Sequence, residues 1–179
     1  MKLKIKVLLK GPNAKMPELI EKGDWIDLYS PVEQVLHAPS ANMVYDKNGE
    51  LCNKIKVFNQ HFILPLGVAM QLPDGFEAHI LPRSSTFKNY GIMLVNSMGM
   101  IDQSFRGNTD EWKYWAITLA QGKNNKIKVG DRIAQFRIEL SQKATFWQKL
   151  KWLFCTGIEL ERVYELEGEN RGGIGSTGK

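Results

Sequence analysis

The chain has 179 residues, 43% hydrophobic and 24% charged, enough for one domain with its own core. Lysine plus arginine exceed aspartate plus glutamate by 24 to 19, and these basic residues are dispersed, so the net charge of +5 points to solubility and steering of an anionic small ligand and away from a nucleic-acid surface. Two cysteines, Cys52 and Cys155, make no disulfide framework, and no apolar run is long enough to span a membrane; a cytoplasmic protein is the expectation.

At the N-terminus, MKLKIKVLLKG alternates Leu3, Ile5 and Val7 with Lys2, Lys4 and Lys6, the pattern of a half-buried strand, and it lacks the apolar core of a signal peptide. Residues 55–58, 62–64, 68–72 and 76–81 read as further strands, with Pro-Asp-Gly at 73–75 as a turn. Residues 115–119 and 133–140 read likewise, separated by a polar stretch. Short strands with regular turn signals predict a sandwich or barrel. One segment differs. In KATFWQKLKWLFCTG, Phe146, Trp147, Leu150, Leu153 and Phe154 fall on one helical face, with Gln148, Lys149 and Lys151 opposite. Thr145 is placed to cap the start of this helix and Gly157 to stop it. The apolar face is expected to pack on the chain's own barrel or on a neighbouring copy; the functional alternative is a docking surface for a protein partner or a membrane.

Five stretches carry candidate chemistry. GDWIDLYS holds Asp27 among apolar residues. LPRSSTFKNYGI sets Arg83, Ser84 and Ser85 just after a strand. NSMGMIDQSFRG holds Asn96, Gly99, Ile101, Asp102, Phe105 and Arg106. GDRIAQF holds Gln135, and the chain closes on RGGIGSTGK. Singly, each has a structural explanation: Asp27 as a strand-end carboxylate, Arg83 as a salt-bridge partner, Asp102 in an Asx-turn, Gln135 as an exposed strand residue. The closing stretch nearly satisfies the Walker A spacing through Gly173, Gly178 and Lys179. A P-loop needs a following helix and a Ser or Thr after the lysine, and neither is present, which leaves a loose Gly/Ser tail or an arm that covers a polyphosphate. Together, many anion binders, free carboxylates and no covalent nucleophile suggest metal-assisted attack of water on phosphorus. His37, His61 and His79 lie outside these stretches, and no Cys/His zinc spacing exists.

In order along the chain, W-I-D-L, P-R-S-S, G-x-I-D-x-x-F-R-G, G-D-R-I-A-Q and R-G-G-x-G-S-T-G resemble the five motifs of the trimeric deoxyuridine triphosphatases (dUTPases). The resemblance runs from about Trp25 to Gly178. It implies an all-β fold, a distorted jelly roll, here with a short inserted amphipathic helix and a mobile C-terminal arm. It implies a β domain over 1–170, an arm over 171–179, and insertions near 36–57, 108–114 and 143–157. It also implies a homotrimer with shared active sites, Mg2+, and hydrolysis of dUTP to dUMP and pyrophosphate, which keeps uracil out of DNA and supplies dUMP for dTMP synthesis.

On the same resemblance, Asp102 would be the base that deprotonates the attacking water. Ser84 would stabilise the leaving oxygen, while Arg83, Ser85 and Gln135 would hold phosphates and water. Asp27 would lie in the magnesium water shell. The turn with Asn96, Gly99 and Ile101 would read the uracil edge, and Phe105 would underlie the deoxyribose. Arg171, Gly175, Ser176 and Thr177 would clamp the γ-phosphate, and Ile174 would cover the base. Two positions depart from the family pattern: Phe105 replaces a tyrosine, and Ile174 replaces a base-stacking phenylalanine. The sister activity, dCTP deamination, needs a glutamate on the strand after the I-D motif, where this chain has Ala116, Thr118 and Ala120. A bifunctional relative, or a regulatory protein acting through the 143–157 segment, completes the alternatives.

Overall fold

The computed structural model describes residues 1–37, 40–58, 61–119 and 126–172. The N-terminal alternation becomes β1 (Lys2–Leu9), with Leu3, Ile5 and Val7 buried. It is followed by β2 (Glu18–Leu19), β3 (Ile26–Tyr29), β4 (Gln34–Val35), β5 (Ser40–Tyr45), β6 (Leu51–Phe58), β7 (His61–Gln71) and β8 (Phe76–Pro82). Next come α1 (Thr86–Tyr90), β9 (Ile92–Leu94), β10 (Gly99–Ile101), β11 (Glu111–Thr118), β12 (Lys126–Ile127), β13 (Arg132–Leu140), α2 (Phe146–Leu153) and β14 (Gly157–Val163). The chain is all-β and jelly-roll-like, as the sequence implies. One sheet has the order β14-β1-β7-β11-β9 and the other β10-β8-β13-β3-β2.

The core lies between these sheets. Ile5, Val7, Met70 and Trp112 from the first meet Ile26, Phe76, Ile80 and Phe136 from the second in one buried cluster. The Trp112 and Phe136 rings meet edge to face at 5.1 Å across the interface, a favourable aromatic geometry. Burial alternates along β11, where Trp112, Tyr114, Ala116 and Thr118 are buried in turn. This strand starts at Glu111, so residues 111–114, read from sequence as part of an insertion, are its first half. The 36–57 segment contributes β5 and β6, an antiparallel pair that forms its own two-stranded sheet.

Two local readings change. Residues 62–64 and 68–72 are not separate strands but parts of the single β7, which runs through Pro65 and Gly67. The ladder slips opposite them, between Glu111 and Lys113, and Gly67 takes φ +69°. That is a bulge, the feature that lets proline and glycine persist in a strand. The Gly67 N–H donates to Glu111 Oε1 at 3.2 Å, so the bulge leaves no orphaned donor there.

The second change concerns α2. Thr145 caps it as expected: its hydroxyl accepts from the Gln148 N–H, and Gln148 Oε1 accepts from the Thr145 N–H at 2.7 Å, a capping box. The helix ends at Leu153, short of Gly157, which opens β14 instead. The face expected to pack is turned outward within the chain: Phe146, Trp147, Leu153 and Phe154 are 69%, 73%, 75% and 63% exposed. Trp152, outside the predicted stripe, makes the anchoring contact, with its ring 5.5 Å from that of Phe76. Gln148 is bent back to cap the helix beside Gly75, which leaves no space there for a side chain. Capping and the following strand, not the hydrophobic stripe, set the rotation of the helix. β14 itself was not apparent from sequence; it pairs parallel to β1 along its whole length.

Candidate functional site

The sequence motifs gather into two clusters. The first is built on the β3–β13–β8 ladder. Register sets Gln135 between Asp27 on one neighbouring strand and Leu81 on the other. Asp27 is 2% exposed, and its Oδ1 accepts from Arg83 Nε at 2.8 Å while its Oδ2 pairs with Arg132 Nη1 at 3.1 Å. A buried carboxylate needs this pairing, since an unpaired buried charge is costly. Gln135 donates through its side-chain amide to the Pro82 carbonyl at 3.2 Å.

The backbone after β8 is fastened by Thr86, which is buried. Its hydroxyl accepts from the Arg83 N–H at 3.1 Å and donates to the Ile133 carbonyl at 2.9 Å. This holds the Arg83-Ser84-Ser85 turn against β13. Ser84 is exposed, and Ser85 sits at the start of α1 with no side-chain capping bond. Arg83, Arg132, Tyr29, Glu18, Asn89 and Tyr90 line a cleft of about 380 Å³. Tyr29 donates to Glu18 Oε2 at 2.6 Å, and burial, reinforced by that bond, pushes its phenol up to about 12.

The second cluster lies at the opposite end of β8. There β10 pairs with β8 through Gly99 to Ile80 and Ile101 to Ala78, and Asp102 follows at once. Asp102 forms the Asx-turn that its sequence context allows: Oδ1 accepts from the Ser104 N–H at 2.8 Å and from the Ser104 hydroxyl at 2.5 Å. Its Oδ2 accepts from Arg171 Nη1 at 2.7 Å. Burial raises the Asp102 pKa, but the Ser104 hydrogen bonds and the Arg171 charge outweigh it and hold the carboxyl below its usual value. The loop is tied back by the Gly75 N–H, which donates to Gln103 Oε1 at 2.9 Å. Phe105 is half-buried against the core, and Asn96 is exposed in the turn where Ser97 takes φ +60°.

Residues reached only through the structure are Arg132, Ser104, Thr86 and Asp110. Arg132 stood inside the quoted G-D-R-I-A-Q stretch, and its spacing from Gln135 was the available signal. Ile174, Gly175, Ser176 and Thr177 lie outside the described residues, as does Ala120 of the deaminase comparison. Among the described residues no group of three His, Cys, Asp or Glu side chains could hold a metal ion.

Asp102 lies one residue beyond the partner of Ala78, level with Glu77, and Arg83 follows the far end of β8, so at strand rise the two clusters are roughly 20 Å apart in one chain. This is a two-sheet β protein with arginine–carboxylate clusters at both ends of one strand. The dUTPase family model matches residues 50–149. A prophage-derived deoxyuridine 5'-triphosphate nucleotidohydrolase of Bacillus subtilis is 39% identical over 159 residues, covering 89% of this chain and 87% of its own length. The chain therefore belongs to the dUTPase family. Solved structures agree on the fold: the dUTPase of Streptococcus mutans has a TM-score of 0.58 at 16% identity, covering 78% of this chain and 98% of its own. A mutant dUTPase of phage phi11 of S. aureus, described with a structural Mg(II) ion, has a TM-score of 0.56 at 18% identity over 79% of this chain and 94% of its own.

Proposed function

We propose that the protein is a cytoplasmic dUTP diphosphatase that converts dUTP and water to dUMP and pyrophosphate. The observation that carries this reading is Asp102: a carboxylate held ionised at the end of β10, inside the I-D motif and beside the arginine that opens the glycine-rich arm. Asp102 takes a proton from water, and the water oxygen attacks the α-phosphorus. The bond to the α–β bridging oxygen breaks, and its electron pair leaves on pyrophosphate. Ser84, exposed after β8, is the donor for that oxygen as charge develops on it. Arg83, Ser85 and Gln135 hold phosphates and water, and Arg171 with Gly175, Ser176 and Thr177 holds the γ-phosphate. Asn96, Gly99 and Ile101 present the uracil-reading edge, Phe105 underlies the sugar, and Ile174 covers the base.

The separation of the two clusters supports a homotrimer in which Asp102 of one copy faces Arg83 of the next. The donor set suits a magnesium ion that arrives on the triphosphate and keeps most of its waters, which is the usual state of Mg2+ at phosphates. Bound there, the ion would offset phosphate charge. Asp27 remains the residue proposed for its water shell, a role that competes with the two ion pairs Asp27 makes to Arg83 and Arg132. The cellular consequence of this activity is exclusion of uracil from DNA and supply of dUMP for dTMP synthesis.

Incubation with dUTP, dCTP, dTTP and UTP tests the reading. dUMP and pyrophosphate should form from dUTP alone, and deamination of dCTP would overturn the assignment. A compatible second reading is a protein contact through the 143–157 segment, favoured by the exposed Phe146, Trp147, Leu153 and Phe154. Serine at Phe146 and Trp147 should leave dUTP turnover and trimer mass unchanged while abolishing that contact; loss of trimer would reassign the face to assembly.

A further inference from the structure

Thr86 is 1% exposed, and its hydroxyl is used twice. It accepts from the Arg83 N–H at 3.1 Å and donates to the Ile133 carbonyl at 2.9 Å. The Thr86 N–H donates to the Arg83 carbonyl at 2.9 Å, so the turn from Arg83 to Thr86 is closed by two bonds in opposite directions. Ser85 takes φ −90° and ψ −8°, the values of the third residue of a type I turn. Ser84 is the second residue of this turn and is exposed. The backbone on either side is held as well. The Pro82 carbonyl accepts from the Gln135 side-chain amide at 3.2 Å, and the Ser85 carbonyl accepts from the Asn89 N–H at 2.8 Å. The far end of the Thr86 contact depends on an irregularity in β13. Its pairing with β3 slips between Arg132 and Ala134, which makes Ile133 the extra residue of a bulge, outside the register of both neighbouring strands. Ile133 is buried, and a buried carbonyl outside a ladder needs a partner, which the Thr86 hydroxyl supplies. The bulge lies between Arg132, which pairs with Asp27, and Gln135.

We infer that Thr86 is a positioning residue for dUTP hydrolysis: its hydroxyl locks the turn that aims Ser84 at the leaving oxygen. The inference rests on the dUTPase reading and adds to it. Thr86 touches no substrate in this scheme and acts through the backbone of the turn. Arg83 depends on it less, because its guanidinium is held separately by Asp27 at 2.8 Å. Loss of the hydroxyl therefore displaces the donor to the leaving oxygen more than it displaces the arginine that holds phosphates. An interaction that strengthens only as charge develops is read in kcat, whereas one that holds the bound substrate is read in KM. The cost of losing Thr86 should accordingly fall on kcat.

Steady-state hydrolysis of dUTP by the full chain tests this. Thr86→Val removes the hydroxyl at nearly constant volume and should lower kcat about 10- to 100-fold, short of the roughly 10²- to 10³-fold cost of deleting such a donor outright. KM should stay within about threefold, since phosphate binding is largely retained. Thr86→Ser keeps both hydrogen bonds and should hold kcat within about threefold of the unaltered protein. A fall in Thr86→Ser as deep as in Thr86→Val would assign the effect to the methyl group and overturn the inference. In a Ser84→Ala background the Thr86→Val loss should shrink to about twofold or less, because both changes act on one donor. Losses that multiply, or a Thr86→Val effect confined to KM, also overturn it. Should Thr86→Val not fold, Thr86→Cys places a weak donor and acceptor at the same point. Its kcat should lie below that of Thr86→Ser, and equal values in the two would count against the inference. Unaltered protein that turns over no dUTP removes the dUTPase reading and the inference with it; turnover that Thr86→Val matches removes the inference alone.

Discussion

The Asp27 cluster and the Asp102 cluster hold the same kind of chemistry, a carboxylate on arginine, in opposite settings. Asp27 is buried on a three-strand ladder, and both its oxygens are taken by arginines, Arg132 from β13 and Arg83 from the turn after β8. Asp102 sits in a loop with its side chain half exposed, paired with one arginine and one serine. The ladder fixes directions to within the tolerance of a packed core, which suits groups that hold phosphates. The loop leaves a carboxylate that is ionised and open to water, which suits a base. On the proposed function, fold stability and catalysis would draw on different carboxylates, and substitutions should separate them.

The largest separation is expected at Asp102. Asp102→Asn should cut kcat about 10²- to 10⁴-fold, the usual contribution of a general base, with the melting temperature almost unchanged. A large fall in melting temperature would erase the distinction between the clusters. Because the Asp102 carboxyl is held below its usual value, activity should persist as pH falls through the ordinary carboxylate range and be lost only below it. The same depression means that its stabilising effect on the fold is present above the unfolded value and disappears as pH falls through the folded one. A pH–rate profile with its acid limb at or above the ordinary range would contradict this.

Asp27→Ala should cost stability as well as activity. Removing one member of a buried ion pair costs about 3 kcal/mol at the lower end of the usual range, which fits here because Arg132 is partly exposed. Chemical denaturation of this variant beside Asp102→Asn would sharpen the comparison directly. A smaller contrast runs through α2. Trp152→Ala should destabilise by about 2 kcal/mol through loss of its packing on Phe76, whereas Trp147→Ala should stay within about 0.5 kcal/mol in the single chain. Between these lies Ile174→Phe, which should lower KM about fivefold if an aromatic face adds about 1 kcal/mol over the base. An unchanged or higher KM would mean that the base is covered by another group.

Much of this was legible in the residues. The β1 alternation, the Pro-Asp-Gly turn, the strands at 76–81 and 133–140 and the Thr145 cap all rest on neighbours within a few positions, and each is present. The order of the five motifs pointed to the family. The Asx-turn reading of Asp102 is present in the structure. Pro65 and Gly67 misled because both are breakers when read locally, and only the Glu111 side chain across the ladder shows that a bulge absorbs them. The α2 stripe forms a helical face that is exposed within the chain, because periodicity defines a face without saying what it faces.

The sequence by itself determined the strand alternation, the turns and the helix cap, which follow from side-chain period and local backbone chemistry, and the ordered set of family motifs. Tertiary structure alone decided that Asp27 is shared by Arg83 and Arg132, that α2 anchors through Trp152, and that Thr86 ties the Arg83 turn to Ile133. Those contacts join residues as many as 105 positions apart. They arise from strand register and from the demand that buried charges and backbone N–H groups find partners, and a one-dimensional pattern does not specify which partners those will be.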